Sequence, residues 1–284
     1  MASLHSAAHN TAIKNTVINN TVVYNKVIWI TGASGGIGEA LANKLAAAGA
    51  ILILSARRET ELTRVRDSLV NAQQHLLLPL DITDTAAVAA ALATIKQQIG
   101  RLDWLINNAG ISQRSLIMDT TLETERKLFE VDYFAQINLT RQALPLLLAD
   151  DGGKVVFVSS VAGLVGTQYR GSYSAAKAAL HLWANSLRAE LFDQGLQVAT
   201  IFPGFVNTDV SRNALTGDGS ALGKMDNAQA NAMSADKFAE KAVKALTKDK
   251  NYIVIGGIKE RLGAIVSRLS PNLLYKMVRN TKVR

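Results

Sequence analysis

The stretch "KVIWITGASGGIGEALANKLAAAGA" runs from Lys26 to Ala50 and decides how the rest of the chain is read. Val27 to Ile30 is a short unbroken apolar run, the mark of a strand buried on both faces. Glycines interrupt it, and Ile37, Ala40, Leu41 and Leu45 then recur at helical spacing. The segment is therefore a strand, a glycine turn and a helix. The same alternation continues outward. "AILILS" precedes a helix over Glu59–Gln73, and "LLLPLD", ending at Asp81, precedes one over Thr85–Ile99. "LDWLINNAG" leads to a long helix over Leu122–Leu148, and "KVVFVSS" to a helix over Ser174–Phe192. "QVATIFPG" leads to Ala235–Leu246, and "YIVIGG" closes the series. Apolar strands alternating with helices predict an α/β fold: a doubly wound parallel sheet of about seven strands with helices on both faces.

No Gly/Ser linker divides this pattern, so residues 25–258 are expected to form one domain of Rossmann type. Residues 1–24 are Asn/Thr-rich and weakly patterned, and are expected to be a flexible extension. Residues 259–284 form a basic, amphipathic extension. The chain has 284 residues, 4 prolines and no cysteine, which excludes disulfides and cysteine–metal sites. His5, His9, His75 and His181 lack metal-ligand spacing, so no metal is expected, and His181 is read as packed rather than catalytic. The net charge is +8, and from Lys259 onward seven Lys/Arg face only Glu260, so the excess is concentrated in the tail. No apolar run reaches the 18 residues of a transmembrane candidate, and the N-terminus makes a poor signal peptide. These features point to a cytoplasmic protein. In the tail, Leu262, Ile265, Val266 and Leu269 share a face, and Leu273, Leu274, Met277 and Val278 repeat the pattern. Two readings stay open: peripheral contact with an anionic membrane, or packing on the domain or a second subunit. Nucleic acid is not expected, because only Tyr275 interleaves with the basic residues.

"TGASGGIG" follows the first strand directly. Gly32 suits the tight turn, Gly36 a close approach of a pyrophosphate, and Gly38 the packing of helix on sheet. The free N–H groups and positive dipole end of the helix favour phosphate. At the end of the second strand, where an acid would bind a ribose 2′-hydroxyl, the chain reads Ala56-Arg57-Arg58. Basic residues are mildly unfavourable at a helix N-terminus. A bidentate contact to a 2′-phosphate is a better reason for them, so the cofactor is expected to be NADP(H).

"GSYSAAKAAL", Gly171–Leu180, places Tyr173 and Lys177 four residues apart, on one helical face. A free phenol ionises near pH ~10, and a nearby ammonium lowers that value. The pair becomes a proton donor to a carbonyl oxygen or an acceptor from an alcohol. Ser160 ends the strand thirteen residues earlier, at the edge where open α/β sheets hold ligands.

These landmarks together resemble the classical short-chain dehydrogenase/reductase family, over about Lys26–Gly257. "TGASGGIG", "NNAG" at Asn107–Gly110, the serine pair ending at Ser160, "YSAAK" and "PG" at Pro203–Gly204 occur in the family's order. The resemblance implies a nicotinamide-dependent oxidoreductase in which Tyr173 is the general acid/base. Lys177 would hold the nicotinamide ribose and Ser160 would orient the substrate. It implies cofactor contacts from Gly32, Ser34, Gly35, Gly36, Ile37 and Gly38, and from Asn108, Ala109 and Gly110. Asp81 and Ile82 would flank the adenine. Pro203–Thr208, with Gly204 and Val206, would cover the nicotinamide. The family also leads to expecting a dimer or tetramer. Residues 213–226, "NALTGDGSALGKMD", resemble the family's member-seven-like subgroup of membrane-associated reductases.

One position departs from the family pattern. Asp132 stands thirteen residues before Pro145, where the family has an asparagine that holds a proton-relay water. Asp132 either replaces that asparagine, slows the enzyme, or shifts its pH profile. Residues 208–234 are Gly-, Asn- and Asp-rich and are read as a substrate lid, with Leu215, Leu222 and Met225 closing over an apolar substrate. Packing of the loop by the same residues is the alternative. The whole is read as an NADP(H)-dependent reductase of an apolar ketone or aldehyde, or a dehydrogenase of the matching alcohol. The competing reading is a nucleotide-binding regulatory or membrane-surface protein with reduced or lost turnover.

Overall fold

The computed structural model of the protein describes residues 20–149, 152–224 and 231–279. Most of the expected N-terminal extension, Met225 and the last five residues lie outside them.

Seven strands form one sheet: β1 (Val27–Thr31), β2 (Ile51–Ser55), β3 (Leu76–Leu77), β4 (Trp104–Asn107), β5 (Lys154–Val158), β6 (Gln197–Pro203) and β7 (Tyr252–Ile255). Their spatial order is β3-β2-β1-β4-β5-β6-β7, and each neighbouring pair is parallel. The chain winds one way from β1 to β3 and the other way from β4 onward. The crevice at the carboxyl ends of β1 and β4 is thus the topological switch point, where such sheets hold ligands.

The helices are α1 (Gly36–Ala47), α2 (Glu59–Ser68), α3 (Thr85–Gln98), α4 (Leu122–Phe129), α5 (Ala135–Leu147), α6 (Gly171–Glu190), α7 (Ala235–Leu246), α8 (Ile258–Leu269) and α9 (Pro271–Arg279). Strand alternation divides the core between the two faces. Ile28 and Ile30 of β1 pack with Leu41 and Leu45 of α1 and Phe238 of α7. Val27 and Trp29 face the other way, toward Val88 and Ile95 of α3, Leu139 of α5 and Leu180 of α6. The Trp29 indole N–H donates to Ser55 Oγ at 2.8 Å, which satisfies the one polar atom its ring buries. No helix among the described residues is long and apolar enough to cross a membrane.

The differences from expectation have local causes. The strand predicted over residues 76–81 is only Leu76–Leu77. Pro79 has no N–H to donate, although Leu78 and Leu80 still donate to Leu54 O and Ala56 O. The helix predicted to Gln73 ends at Ser68; Asn71 takes a left-handed φ of 57° and a 3₁₀ turn follows. The N-terminal extension ends earlier than residue 24, because Asn20–Val23 is a helical turn whose Val23 is buried in the core. The long helix predicted over Leu122–Leu148 is helical without a break to Leu147 but contains a π turn at Glu130–Phe134 between α4 and α5. Helix α6 starts at Gly171 rather than Ser174, so Tyr173 stands in its first turn.

Candidate active site

The glycine loop is held before any ligand is considered. Asn108 Nδ2 donates to the carbonyl oxygens of Thr31 (2.9 Å) and Gly32 (3.2 Å). Thr31 Oγ1 accepts from the backbone N–H groups of Asn108 and Ala109, both at 3.1 Å. The turn from β1 is thereby tied to the turn from β4. Gly32 has φ +65°, and a side chain at Gly38 would collide with the Gly32 carbonyl, so both positions demand glycine. Gly35 caps α1 without a side-chain hydrogen bond, and a Cβ placed on it meets nothing within 4 Å. The N-cap of α1 therefore borders open space, as a phosphate cradle requires. The residues fit a dinucleotide at this place.

Arg57 and Arg58, at the end of β2, are exposed and make no side-chain hydrogen bond or ion pair among the described residues. Asp81 Oδ1 accepts from Thr83 N (3.0 Å) and Thr83 Oγ1 (2.8 Å), which shapes the turn after β3 and leaves Ile82 buried beside it. Pro203 ends β6. Gly204 donates its N–H to Ile255 O at 2.8 Å, and Val206 pairs in parallel with Met233. Thr208 leans over the glycine loop, its methyl 3.2 Å from where a Gly36 Cβ would stand.

Ser160 lies at the carboxyl end of β5 and caps a 3₁₀ turn, accepting from Ala162 N at 3.1 Å. The neighbouring Ser159 Oγ donates to Lys177 O at 2.9 Å, which seats α6 against this strand end. Lys177 Nζ donates to Val158 O at 3.3 Å and lies 6.0 Å from the centre of the Tyr173 ring. Its other neighbour is Asp132, whose Oδ1 is 3.7 Å away. The lysine and aspartate side chains are 4% and 0% exposed, so the pair is inside the protein.

The π turn carries Asp132 inward. A π turn inserts one residue into a helical turn and often occurs at functional positions. Asp132 Oδ1 also accepts from Ile111 N at 2.9 Å, while Oδ2 has no partner among the described residues. Burial pushes the Asp132 carboxyl above the ordinary carboxylate range, against the pull of the Lys177 charge and the Ile111 N–H. Gly110 runs between the pair: a Cβ there would be 2.8 Å from Asp132 Oδ1 and 3.1 Å from Lys177 Nζ.

Several positioning contacts carry no sequence signal. Gln113 is buried, and its Oε1 accepts from the first-turn N–H of Tyr173 at 3.3 Å. Its Nε2 donates to Thr120 Oγ1 at 2.9 Å. Gln136 Nε2 donates to Ala109 O at 2.8 Å. The Arg170 guanidinium lies 5.8 Å from the Tyr173 ring and 5.2 Å from that of Phe205. These links cross up to sixty residues of sequence, so no spacing rule reveals them. Of the expected lid residues, Leu215 is buried; its N–H donates to Ser112 O and its carbonyl accepts from Arg114 N, both at 2.8 Å. This part of the loop is packed down on residues 112–121. His181 is packed as expected, edge-on to Phe202 at 4.8 Å between ring centres.

A family model described as short chain dehydrogenase matches residues 26–218, and the chain belongs to the short-chain dehydrogenase/reductase family. The family is one of oxidoreductases that use a nicotinamide dinucleotide and act on small substrates. Within it the chain falls in the member-seven-like group. It is 36% identical over 254 residues to the "Dehydrogenase/reductase SDR family protein 7-like" of Anopheles gambiae, covering 87% of this chain and 80% of that protein. It is 34% identical over 254 residues to "Dehydrogenase/reductase SDR family member 7B" of Mus musculus, covering 88% and 79%. Among solved structures, a short-chain dehydrogenase from Streptomyces avermitilis superposes with a TM-score of 0.76 at 28% identity, covering 90% of this chain and 98% of that one.

Proposed function

We propose that the protein is an NADP(H)-dependent oxidoreductase that interconverts an apolar ketone or aldehyde with its alcohol. The observation that carries this reading is the buried Lys177 ammonium, held between Asp132 and the Tyr173 ring at the carboxyl edge of the sheet. When bound, the dinucleotide supplies the hydride that adds to the carbonyl carbon. Residues Gly32–Gly38 and Asn108–Gly110 hold its phosphates and ribose, Asp81 and Ile82 flank its adenine, and Pro203–Thr208 cover the nicotinamide end. Arg57, with Arg58 beside it, meets the 2′-phosphate, which explains why two cations without a side-chain partner among the described residues stand at this strand end.

Tyr173 Oη donates a proton to the carbonyl oxygen as that oxygen becomes an alcohol. Lys177 stabilises the phenolate left behind, and Ser160 Oγ donates a hydrogen bond that aims the oxygen at Tyr173. Asp132 accepts from Ile111 N and faces Lys177, so it takes the asparagine's place at the inner end of the proton path. Residues 25–258 act as the catalytic domain, in a cytoplasmic setting, and residues 208–234 as the wall or lid over the substrate. Phe134 and Leu182, large apolar side chains left exposed on the helical faces, support a homodimer or tetramer.

The test is NADPH oxidation against a panel of apolar ketones and aldehydes. Wild type should turn over, and Tyr173→Phe should lose about 10²–10⁴-fold in kcat/KM. Arg57→Ala should weaken NADPH while leaving NADH unchanged; equal affinity of wild type for both cofactors would reject the NADP(H) assignment. Asp132→Asn should remove one ionisation from the pH–rate profile. The unpartnered Asp132 Oδ2 also supports a second reading, a nucleotide-binding protein with little turnover. Under that reading only the Asp132→Asn variant would be active.

A further inference from the structure

Helix α8 turns the wrong face outward for a helix of a soluble domain. Ile258, Leu262, Ile265 and Leu269 follow one another at intervals of four, three and four residues, which puts them in a single stripe. All four are exposed, Ile258 at 86% and Leu269 at 80%. The opposite side of the helix is built from small residues and packs inward. Ala264 is buried, and Gly263 lies against Val165. Glu260 covers Gly204 and Gly256, with carbons 3.1 Å from where their Cβ atoms would be. Arg268 stacks on Tyr252 at 4.1 Å, and Gln168 ties the end of α9 by donating to Arg279 O at 3.2 Å. The stripe is therefore held facing outward by contacts on the other side of the helix.

We propose that this stripe docks on the surface of an anionic lipid bilayer. The charge pattern selects that occupant. Lys259 and Arg261 are exposed and flank the stripe, and Lys276 and Arg279 are exposed on α9. Glu260 is the only acid from residue 259 to the C-terminus, and it faces inward. A second copy applied to the same face would set cation against cation. A bilayer with anionic headgroups accepts the apolar stripe and attracts the flanking charges together. Helix α8 begins at the carboxyl edge of the sheet, beside Gly204 and Val165. Docking would thus set the candidate substrate cleft near the lipid surface, where an apolar substrate concentrates.

The experiment is vesicle co-sedimentation of the full chain with phosphatidylcholine vesicles, with and without ~30% phosphatidylglycerol. Binding is expected only with the anionic lipid, falling as salt rises. Leu262→Ser with Ile265→Ser, and separately Lys259→Glu with Arg261→Glu, should each lower partitioning by about tenfold or more, with unchanged thermal melting. Equal binding to neutral vesicles, no binding by wild type, or undiminished binding by the apolar double variant would overturn the proposal. Sedimentation velocity closes the remaining alternative: if the apolar double variant turns an oligomer into a monomer while wild type ignores vesicles, the face belongs to a second copy.

Discussion

Helices α7 and α8 flank strand β7 in the chain, and both repeat apolar residues at helical spacing, yet they present opposite faces to the sheet. Helix α7 buries Phe238, Ala239, Ala242, Val243 and Leu246 in the core beside α1. Helix α8 buries only Ala264 and leaves Ile258, Leu262, Ile265 and Leu269 outside. An amphipathic pattern fixes that two faces differ; it does not fix which one meets the protein. What decides is the surface on offer. Helix α7 lies on a sheet face that needs large side chains. Helix α8 crosses Gly204, Gly256 and Val165, where the Glu260 side chain fills the space beside the two glycines and Gly263 lies against Val165.

The largest effect that sharpens this contrast is Phe238→Ala. It should cost about 3–5 kcal/mol of unfolding free energy in urea titration, and a comparable cost for Leu262→Ala would break the contrast. Next comes the start of α7, where Ser234 Oγ accepts from Lys237 N at 3.3 Å. Ser234→Ala should cost about 1 kcal/mol by the same titration.

The attachment of α8 is expected to respond to pH. His181 packs against Tyr252, the ring on which Arg268 sits. Burial, then the charges of Arg268 and Arg188, lower the His181 pKa below its ordinary 6.5. The unfolded chain therefore takes up this proton first. The stabilising contribution is present above about pH 6.5 and is lost as pH falls through the lower folded-state value. His75, also lowered by burial, acts in the same sense but lies far along the chain, under β2. Amide exchange in α8 should accelerate more than in α7 between pH 7.5 and 5.5, and His181→Gln should remove most of that difference. An identical response of the two helices would show that the ring stack does not anchor α8. The smallest effect is Leu262→Ser, which should change stability by less than about 0.5 kcal/mol, because the residue is already in water.

Much of the fold was legible because strand and helix periods differ. The apolar runs at Val27–Ile30 and Val155–Val158 had no other reading, and the four-residue step from Tyr173 to Lys177 placed both on one face. What was hidden had physical reasons too. The π turn at Glu130–Phe134 adds a residue without disturbing the apolar pattern, so its inward delivery of Asp132 was invisible. Pro79 shortened β3 through a missing donor, although the residues around it read as strand. Gln113 reaches Tyr173 across sixty residues, and side chain–backbone links of that span leave no periodic trace. The outward stripe of α8 was seen as a pattern, but its direction was not readable, since it depended on glycines in two other segments.

The latch from Asn108 to Thr31 and Gly32 has a kinetic consequence. It sets the shape of the glycine loop during folding, so a nucleotide meets a finished surface and no slow rearrangement follows contact. Stopped-flow association should then be a single phase, linear in concentration. Without the Asn108 amide the loop must find its shape after encounter, and the trace should gain a second phase that saturates.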